Sequence, residues 1–188
     1  MKHCHLKKKI KYDGSQLKPF WALEELNIKG PSIVTWIGPM NIKKEKIVDY
    51  EDKGREIKGG EMAHFIIEHF DSQPGNIKLC YHRQRMLIMI LKEELLKMGI
   101  KTRREGDDLY INDSKLTVSI ATASISSMKI HLGINLSSEG TPENIKTIGL
   151  KECNLDNKDI KKLIKNVAEK YIEEIRKIEE DITKTKTM

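Results

Sequence analysis

The chain has 188 residues, enough for one domain with a real core, and its 34 basic against 28 acidic side chains leave a net charge of +6. Both signs are interspersed, so the excess admits an anionic ligand without demanding nucleic acid, and the abundance of Lys, Glu and Ile suits a heat-adapted organism. Cys4, Cys80 and Cys153 are too scattered for a disulfide framework or a CxxC metal knuckle. No apolar run reaches transmembrane length and the first residues lack a signal-peptide core, so a cytoplasmic protein is expected.

The first dozen residues carry His3-Cys4-His5 and then Lys7-Lys8-Lys9. Three adjacent residues rarely converge on one ion, so a frayed start or short edge strand is expected. Gly14 and Ser15 open a short helix over residues 16–26, with Pro19 in its first turn. Residues 32–37, SIVTWI, are β-branched and bracketed by Gly-Pro pairs, which marks a buried strand. Asp49, Glu51 and Asp52 could hold a divalent cation through oxygen ligands; a solvated acidic loop facing Lys43, Lys44 and Lys46 is the expectation, with no metal assigned. Met62, Phe65, Ile66 and Phe70 recur at helical spacing and predict a helix from Glu61. In such a helix His64 and Glu68 share another face, and His69 lies about 140° from His64, which excludes a zinc pair one turn apart.

Residues 76–81 read as a strand with Cys80 in the core, and residues 82–99 as a strong helix closed by Gly99. Leu87, Ile90, Leu91, Leu95 and Met98 form its inward face. Arg83 and Arg85 then fall in the first turn, where a helix N-terminus favours an anion; the alternative is ordinary surface cations. Arg103 and Arg104 precede Asp107-Asp108, to bind a phosphate or to neutralise those carboxylates.

Residues 106–136 are the least charged stretch and alternate with period two. Three strands are predicted, over 107–111, 115–122 and 128–136, with a turn at Asn112-Asp113-Ser114. Leu109 and Ile111, then Leu116, Val118 and Ile120, then Met128, Ile130, Leu132, Ile134 and Leu136 are assigned to the core face. The opposite face carries Asp108 and Tyr110, then Lys115, Thr117, Ser119 and Ala121, then Lys129, His131, Gly133 and Asn135. An ammonium, an imidazole and an amide should therefore stand over a floor of small side chains, where a strand glycine leaves room for another molecule. The bland alternative is the wet side of an antiparallel sheet. A polar loop with Gly140 and Pro142 follows, then Cys153. Asp156 caps a long helix at about residues 157–183, with Asp159 in its first turn. Its stripe of Ile160, Leu163, Ile164, Val167, Tyr171, Ile172 and Ile175, continued by Ile178 and Ile182, suits a sheet or a second copy, so a homodimer is one expectation. Residues 183–188 are a tail.

The stretch GDDLYINDSKLTVSIATASISSMKIHLGINL resembles the central hairpin of the biotin and lipoate protein ligases and lipoate-type octanoyltransferases. In those families an acidic strand leads through a turn to a lysine, and a later strand ends in Gly-Ile-Asn or a similar triplet. The matching residues are Asp107, Asp108, Lys115, Gly133, Ile134 and Asn135. More narrowly, the whole chain resembles domain-of-unknown-function family 366, a mostly archaeal family with a fold relationship to these ligases. The resemblance implies an α+β fold: a mixed, largely antiparallel sheet with packed helices, biotin/lipoate-ligase-like (class II synthetase/biotin synthetase-like), in a single domain over 1–188.

It also implies chemistry. A carboxylic acid cofactor or acyl group (biotin, lipoate or octanoate) would be adenylated with ATP and Mg, or transferred, with an acyl-carrier protein domain as partner. Lys115 would offset charge in the transition state, and Asp107 or Asp108 would hold a metal or orient that lysine. His131, Gly133 and Asn135, with Thr117 and Ser119 beside them, would line the acyl or nucleotide pocket. Arg55, Gly59-Gly60 and His64 echo an Arg, glycine-run and His pattern of lipoate ligases. In a transferase version Cys153, 38 residues after Lys115, would carry the acyl group as a thioester, with Lys115 as acid/base. The chain departs from these families in lacking the biotin ligases' Arg/Gly-rich loop, where acidic residues 49–52 stand instead, and in lacking the Pro and Gly that flank the octanoyltransferase cysteine. A noncatalytic small-ligand- or RNA-binding domain on the same fold is the alternative, prompted by Arg83, Arg85, Arg103 and Arg104. Base-stacking aromatics are scarce near those arginines, which argues against nucleic acid.

Overall fold

In the computed structural model, which describes residues 1–51, 53–141 and 145–186, five strands form one sheet in the order β1-β2-β3-β8-β7. They are β1 (Lys2–His5), β2 (Ser32–Ile42), β3 (Ile57–His69), β7 (Thr117–Ala123) and β8 (Met128–Asn135). Only β1–β2 is parallel; the other pairs are antiparallel. A three-stranded ribbon, β4 (Arg103–Glu105), β5 (Asp108–Ile111) and β6 (Ser114–Lys115), stands beside it. Helices α2 (Ile77–Lys97) and α3 (Asn157–Asp181) pack on one face, through Leu87, Leu91, Leu163 and Val167 against Phe65, Ile67, Leu132 and Ile134. Residues 6–28, which include the short helix α1 (Trp21–Leu26), cover much of the other face over Val34, Trp36, Met62 and Ile66. The result is the expected α+β arrangement with a largely antiparallel sheet. The sequence expectations for Asp52, Pro142 and the last two residues of the tail lie outside the described residues.

Residues 61–69 are strand, not helix. Met62 and Ile66 point to one core, and Ala63, Phe65 and Ile67 to the other. A strand buried on both faces shows no alternation, so its apolar residues can fit a helical template by accident. The predicted strand over 76–81 is instead the start of α2, because the Asn76 side chain accepts the Leu79 N–H at 3.0 Å and caps a helix that begins five residues earlier than expected. Arg83 and Arg85 consequently sit in the second turn and beyond, away from the exposed amides on which an anion site at the helix start would depend. The predicted helix over 16–26 is two pieces, a 3₁₀ turn at Ser15–Leu17 and then α1, with Pro19 between them.

The predicted strand over 115–122 is also divided. Its first residues pair with β5 and its remainder with β8, with Leu116 buried at the break. That change of partner inverts the expected faces of β7. Val118 stands opposite Gly133 and Ile120 opposite His131, while Thr117, Ser119 and Ala121 stand opposite Ile134, Leu132 and Ile130 on the helix side. The face of β8 carrying Lys129, His131, Gly133 and Asn135 is buried, neither wet nor an open floor. Lys129 is sealed there, 3.3 Å from Glu68 and 3.1 Å from the Lys18 carbonyl, and burial lowers its pKa to about 8. Glu68 also accepts from the Phe20 amide and the Ser127 hydroxyl, so the buried pair is satisfied on both sides.

A capping box between Asp156 and Asp159 opens α3, and Ile160, Leu163, Ile164, Val167, Tyr171 and Ile175 form its buried stripe. Ile178 and Ile182 are 47% and 72% exposed, so the helix runs past the core it covers. No helix among the described residues is long and apolar enough to cross a membrane.

Candidate functional site

Lys115 ends β6 where the ribbon meets the sheet, its ammonium 2.6 Å from Asp108 Oδ2. Asp108 comes from β5, whose Tyr110 and Ile111 pair with Lys115 and Ser114. Burial raises Asp108 to about 6, against the pull of the Lys115 charge. Burial also opposes the charge on Lys115, but Asp108 outweighs it and holds the ammonium above its ordinary pKa. Asp107 faces α2: Gln84 Nε2 donates to its Oδ2 at 2.7 Å, and Arg85 Nη1 lies 2.8 Å from its Oδ1, a charge contact outside hydrogen-bond geometry.

Two adjoining clefts meet at Lys115. The first, about 210 Å³, has an apolar floor of Val118 and Ile120 from β7 with Met40 and Ile42 from β2. Tyr12 and His131 line it, and its rim carries Asp49, Glu51, Asp107, Asp108 and Lys46. The second, about 390 Å³, shares Met40, Ile57, Lys115 and Val118 with the first and is walled by Arg55, Glu56, Lys58, Asn135, Thr141 and Thr147. Together they reach the size of ordinary ligand pockets.

The imidazole belongs to a buried relay. His64 Nε2 is 3.1 Å from the Gly38 carbonyl, and His64 Nδ1 is 3.1 Å from His131 Nε2. A carbonyl only accepts, so His64 Nε2 carries a proton, its Nδ1 accepts from His131 Nε2–H, and His131 Nδ1 is left as an acceptor. Burial lowers His64 to about 4 and His131 well below its ordinary value, so both rings are neutral near pH 7. Tyr12 stacks on His131 with ring centroids 3.6 Å apart.

The structure brings some of the expected groups together and separates others. Lys115 and His131 line the same cleft, but Tyr12 roofs the imidazole, so it is not an open face over a floor. Asn135 donates from Nδ2 to the Lys115 carbonyl at 3.3 Å and lines the second cleft. Space at Gly133 is taken by the protein itself: a Cβ there would meet Met62 Cε at 2.9 Å and Val118 Cγ2 at 3.1 Å. Thr117 is fully buried on the helix side, accepting the Leu109 N–H at 2.9 Å. Ser119 lines the first cleft while accepting from Gln84 and donating to the His131 carbonyl.

The arginines do not converge. Arg83 pairs with Asp71, and Arg104 is exposed and donates to the Gly106 carbonyl at 2.5 Å. Cys153 lies on a 3₁₀ turn, lines neither cleft, and has its thiol pushed up by burial and then by Glu152. A thioester route needs a thiolate beside the acyl group, and this position supplies neither. Among the described residues no three His, Cys, Asp or Glu side chains lie close enough to share a metal ion.

Sequence reasoning missed Tyr12, Met40 and Gln84. Tyr12 reaches the cleft because the chain after β1 runs on alongside β2 and makes a parallel bridge at Met40, a contact with no local signature. Gln84 reads as one polar residue of a helix, and only tertiary packing buries it against Asp107 and Ser119.

Similar proteins place this fold. A solved protein of unknown function from Pyrococcus horikoshi is 38% identical, with a TM-score of 0.91 over 99% of this chain and 98% of its own. Biotin protein ligase from Aquifex aeolicus in complex with biotin and ATP has a TM-score of 0.56 at 17% identity, over 90% of this chain and 70% of its own. Protein Ta0514 from T. acidophilum with bound lipoic acid has a TM-score of 0.61 at 8% identity, over 92% and 86%. At those identities the likeness is one of fold, and the fold is biotin/lipoate-ligase-like. In sequence, "Uncharacterized protein MJ0805" of Methanocaldococcus jannaschii is 41% identical over 186 residues, 96% of this chain and 82% of its own. The model of the family described as "Domain of unknown function (DUF366)" matches residues 1–186, and the chain belongs to that family.

Proposed function

We propose that this protein binds a small carboxylic acid or acyl group and activates or transfers it at Lys115. The apolar part of the ligand would lie over Val118 and Ile120, with its carboxylate at the ammonium. The observation that carries this reading is that one lysine lines two clefts of different character. One has an apolar floor, and the other adds Arg55 and the ion pair of Lys58 with Glu56 to the lysine. A carboxylate from the first and an anionic group held in the second would meet at Lys115, whose charge would offset the negative charge that builds as they react. In the free protein Asp108 occupies that ammonium. Because burial holds Asp108 near 6, an incoming carboxylate can displace it while Asp108 takes up a proton.

A nucleoside triphosphate would have its phosphates held in the second cleft by Arg55 and Lys115, and by Lys58 once it exchanged its present partner Glu56, 2.6 Å away. When bound, the nucleotide would supply the adenylyl group that makes a carboxylate reactive, with pyrophosphate as the leaving group. Mg²⁺ is commonly held by one or two carboxylates together with substrate phosphates, and Asp107, at the rim of the first cleft, is the carboxylate placed to contribute. Biotin, lipoate and octanoate are the acids to test first, and a carrier domain is the natural acceptor in this reading.

The test is a thermal-shift and calorimetric series with each acid, alone and with MgATP, on wild type and Lys115→Ala, followed by acid-dependent ATP–pyrophosphate exchange. The expected result is an acid-dependent response that the mutant loses. Binding of an acid without exchange would reduce the reading to a noncatalytic ligand-binding domain. No response to any acid would overturn it.

A further inference from the structure

A groove of about 840 Å³, larger than either cleft at Lys115, runs between β1 and the first half of α3. Four lysines, Lys7, Lys9, Lys161 and Lys165, line it against two acids, Glu61 and Glu169. Glu61 is already shared by Lys9 at 2.8 Å and Lys151 at 2.5 Å. Glu169 lies 3.7 Å from Lys165. Lys7 and Lys161 have no acidic partner at ion-pair distance among the described residues, so the groove keeps uncompensated positive charge.

The wall formed by β1 adds two imidazoles. His3 Nε2 and His5 Nδ1 each lie 3.0 Å from the buried hydroxyl of Thr35. That hydroxyl has one proton. It donates to one ring and accepts N–H from the other. The ring that accepts must carry its own proton on its second nitrogen. The ring that donates shows a bare nitrogen there until it is protonated. With both rings neutral, the pair therefore presents one donor and one acceptor beyond Thr35; uptake of one proton turns it into two donors.

We infer that this groove binds a phosphorylated small molecule, with its phosphate among Lys7, Lys161, His3 and His5 and its apolar part on Leu6, Ile37 and Ile164. A phosphate dianion matches two unpaired ammonium groups, and its several acceptor oxygens suit a set made of donors alone. The apolar wall favours an organic ester over the bare ion. A hollow of this volume admits a metabolite-sized molecule. The site is independent of Lys115: no residue lines both the groove and either cleft.

Proton linkage gives the inference a readout. Burial lowers both histidines, helped by His5 and Lys165 at His3 and by Lys161 at His5, while Glu169 alone opposes at His3. An anion bound between the rings would favour their charged forms and raise both pKa values.

The experiment titrates the full-length protein with pyrophosphate as probe, following the ring C–H signals of His3 and His5 by NMR between about pH 5 and 8. The signals are assigned with His3→Gln and His5→Gln. The expected result is saturable movement of both signals, higher titration midpoints for both with pyrophosphate, binding roughly 10-fold or more weaker in Lys7→Gln/Lys161→Gln, and binding retained in Lys115→Ala. Unmoved signals, or undiminished binding in the double variant, would overturn it. So would loss of binding in Lys115→Ala, which would place the probe at the other site. An RNA oligonucleotide that binds where pyrophosphate does not would overturn it in favour of a nucleic-acid surface.

Discussion

At the scale of single residues the site turns on a competition for one ammonium. Asp108 holds Lys115 at 2.6 Å, so a ligand carboxylate must displace it. Charge-assisted hydrogen bonds contribute about 1.5–3 kcal/mol, so Lys115→Ala should weaken acid binding roughly 10- to 100-fold by calorimetry. Asp108→Asn should act the other way and tighten it above pH 6, where wild-type Asp108 is charged. In wild type the affinity should rise as pH falls through about 6, a slope the Asn variant lacks. The buried histidines make a separate prediction about stability. His64 titrates near 4 in the folded chain, below its ordinary 6.5. The native state therefore keeps it neutral, a contribution fully present above 6.5 and lost as pH falls toward 4. The difference corresponds to on the order of 3 kcal/mol, read as a falling urea midpoint that His64→Gln should flatten.

At the scale of elements, two features of the sheet can be tested. Glu68 on β3 and Lys129 on β8 form a sealed ion pair. Glu68→Ala should cost about 3–5 kcal/mol because it strands the lysine, whereas Glu68→Leu with Lys129→Met should recover most of that in chemical denaturation. The second feature is the approach of residues 10–12 to β2. A methyl group at Gly38 would run into the carbonyl of Ile10, which also accepts from Trp36 Nε1 at 2.9 Å. Gly38→Ala should lift this segment and Tyr12 with it, lowering stability by about 1–3 kcal/mol and weakening acid binding in the first cleft. A purely structural role for Tyr12 would change stability alone.

At the scale of the molecule, α3 outruns the sheet. Residues 182–186 are exposed, so a chain ending at Asp181 should keep its thermal midpoint. Much of the architecture was legible beforehand. Local rules located β2, the body of α2, the capped start of α3 and the hairpin of β7 and β8, because caps, turn residues and strong periodicity act over a few residues. They also picked out Lys115 and Asp108, neighbours across the Asn112–Asp113 turn that β5 and β6 bring into contact. Other features depend on what lies across the fold. β3 read as a helix because both its faces are buried. β7 showed the wrong face because its chain changes partner at Leu116. His131 and Gly133 looked open because nothing nearby in sequence announces Tyr12 or Met62. The sequence alone determined the inventory of strands, caps and charges, since those follow from short-range backbone preferences. Which face each strand presents, and which polar groups reach a cleft, only the tertiary structure decided, since burial is set by contacts between residues far apart in the chain.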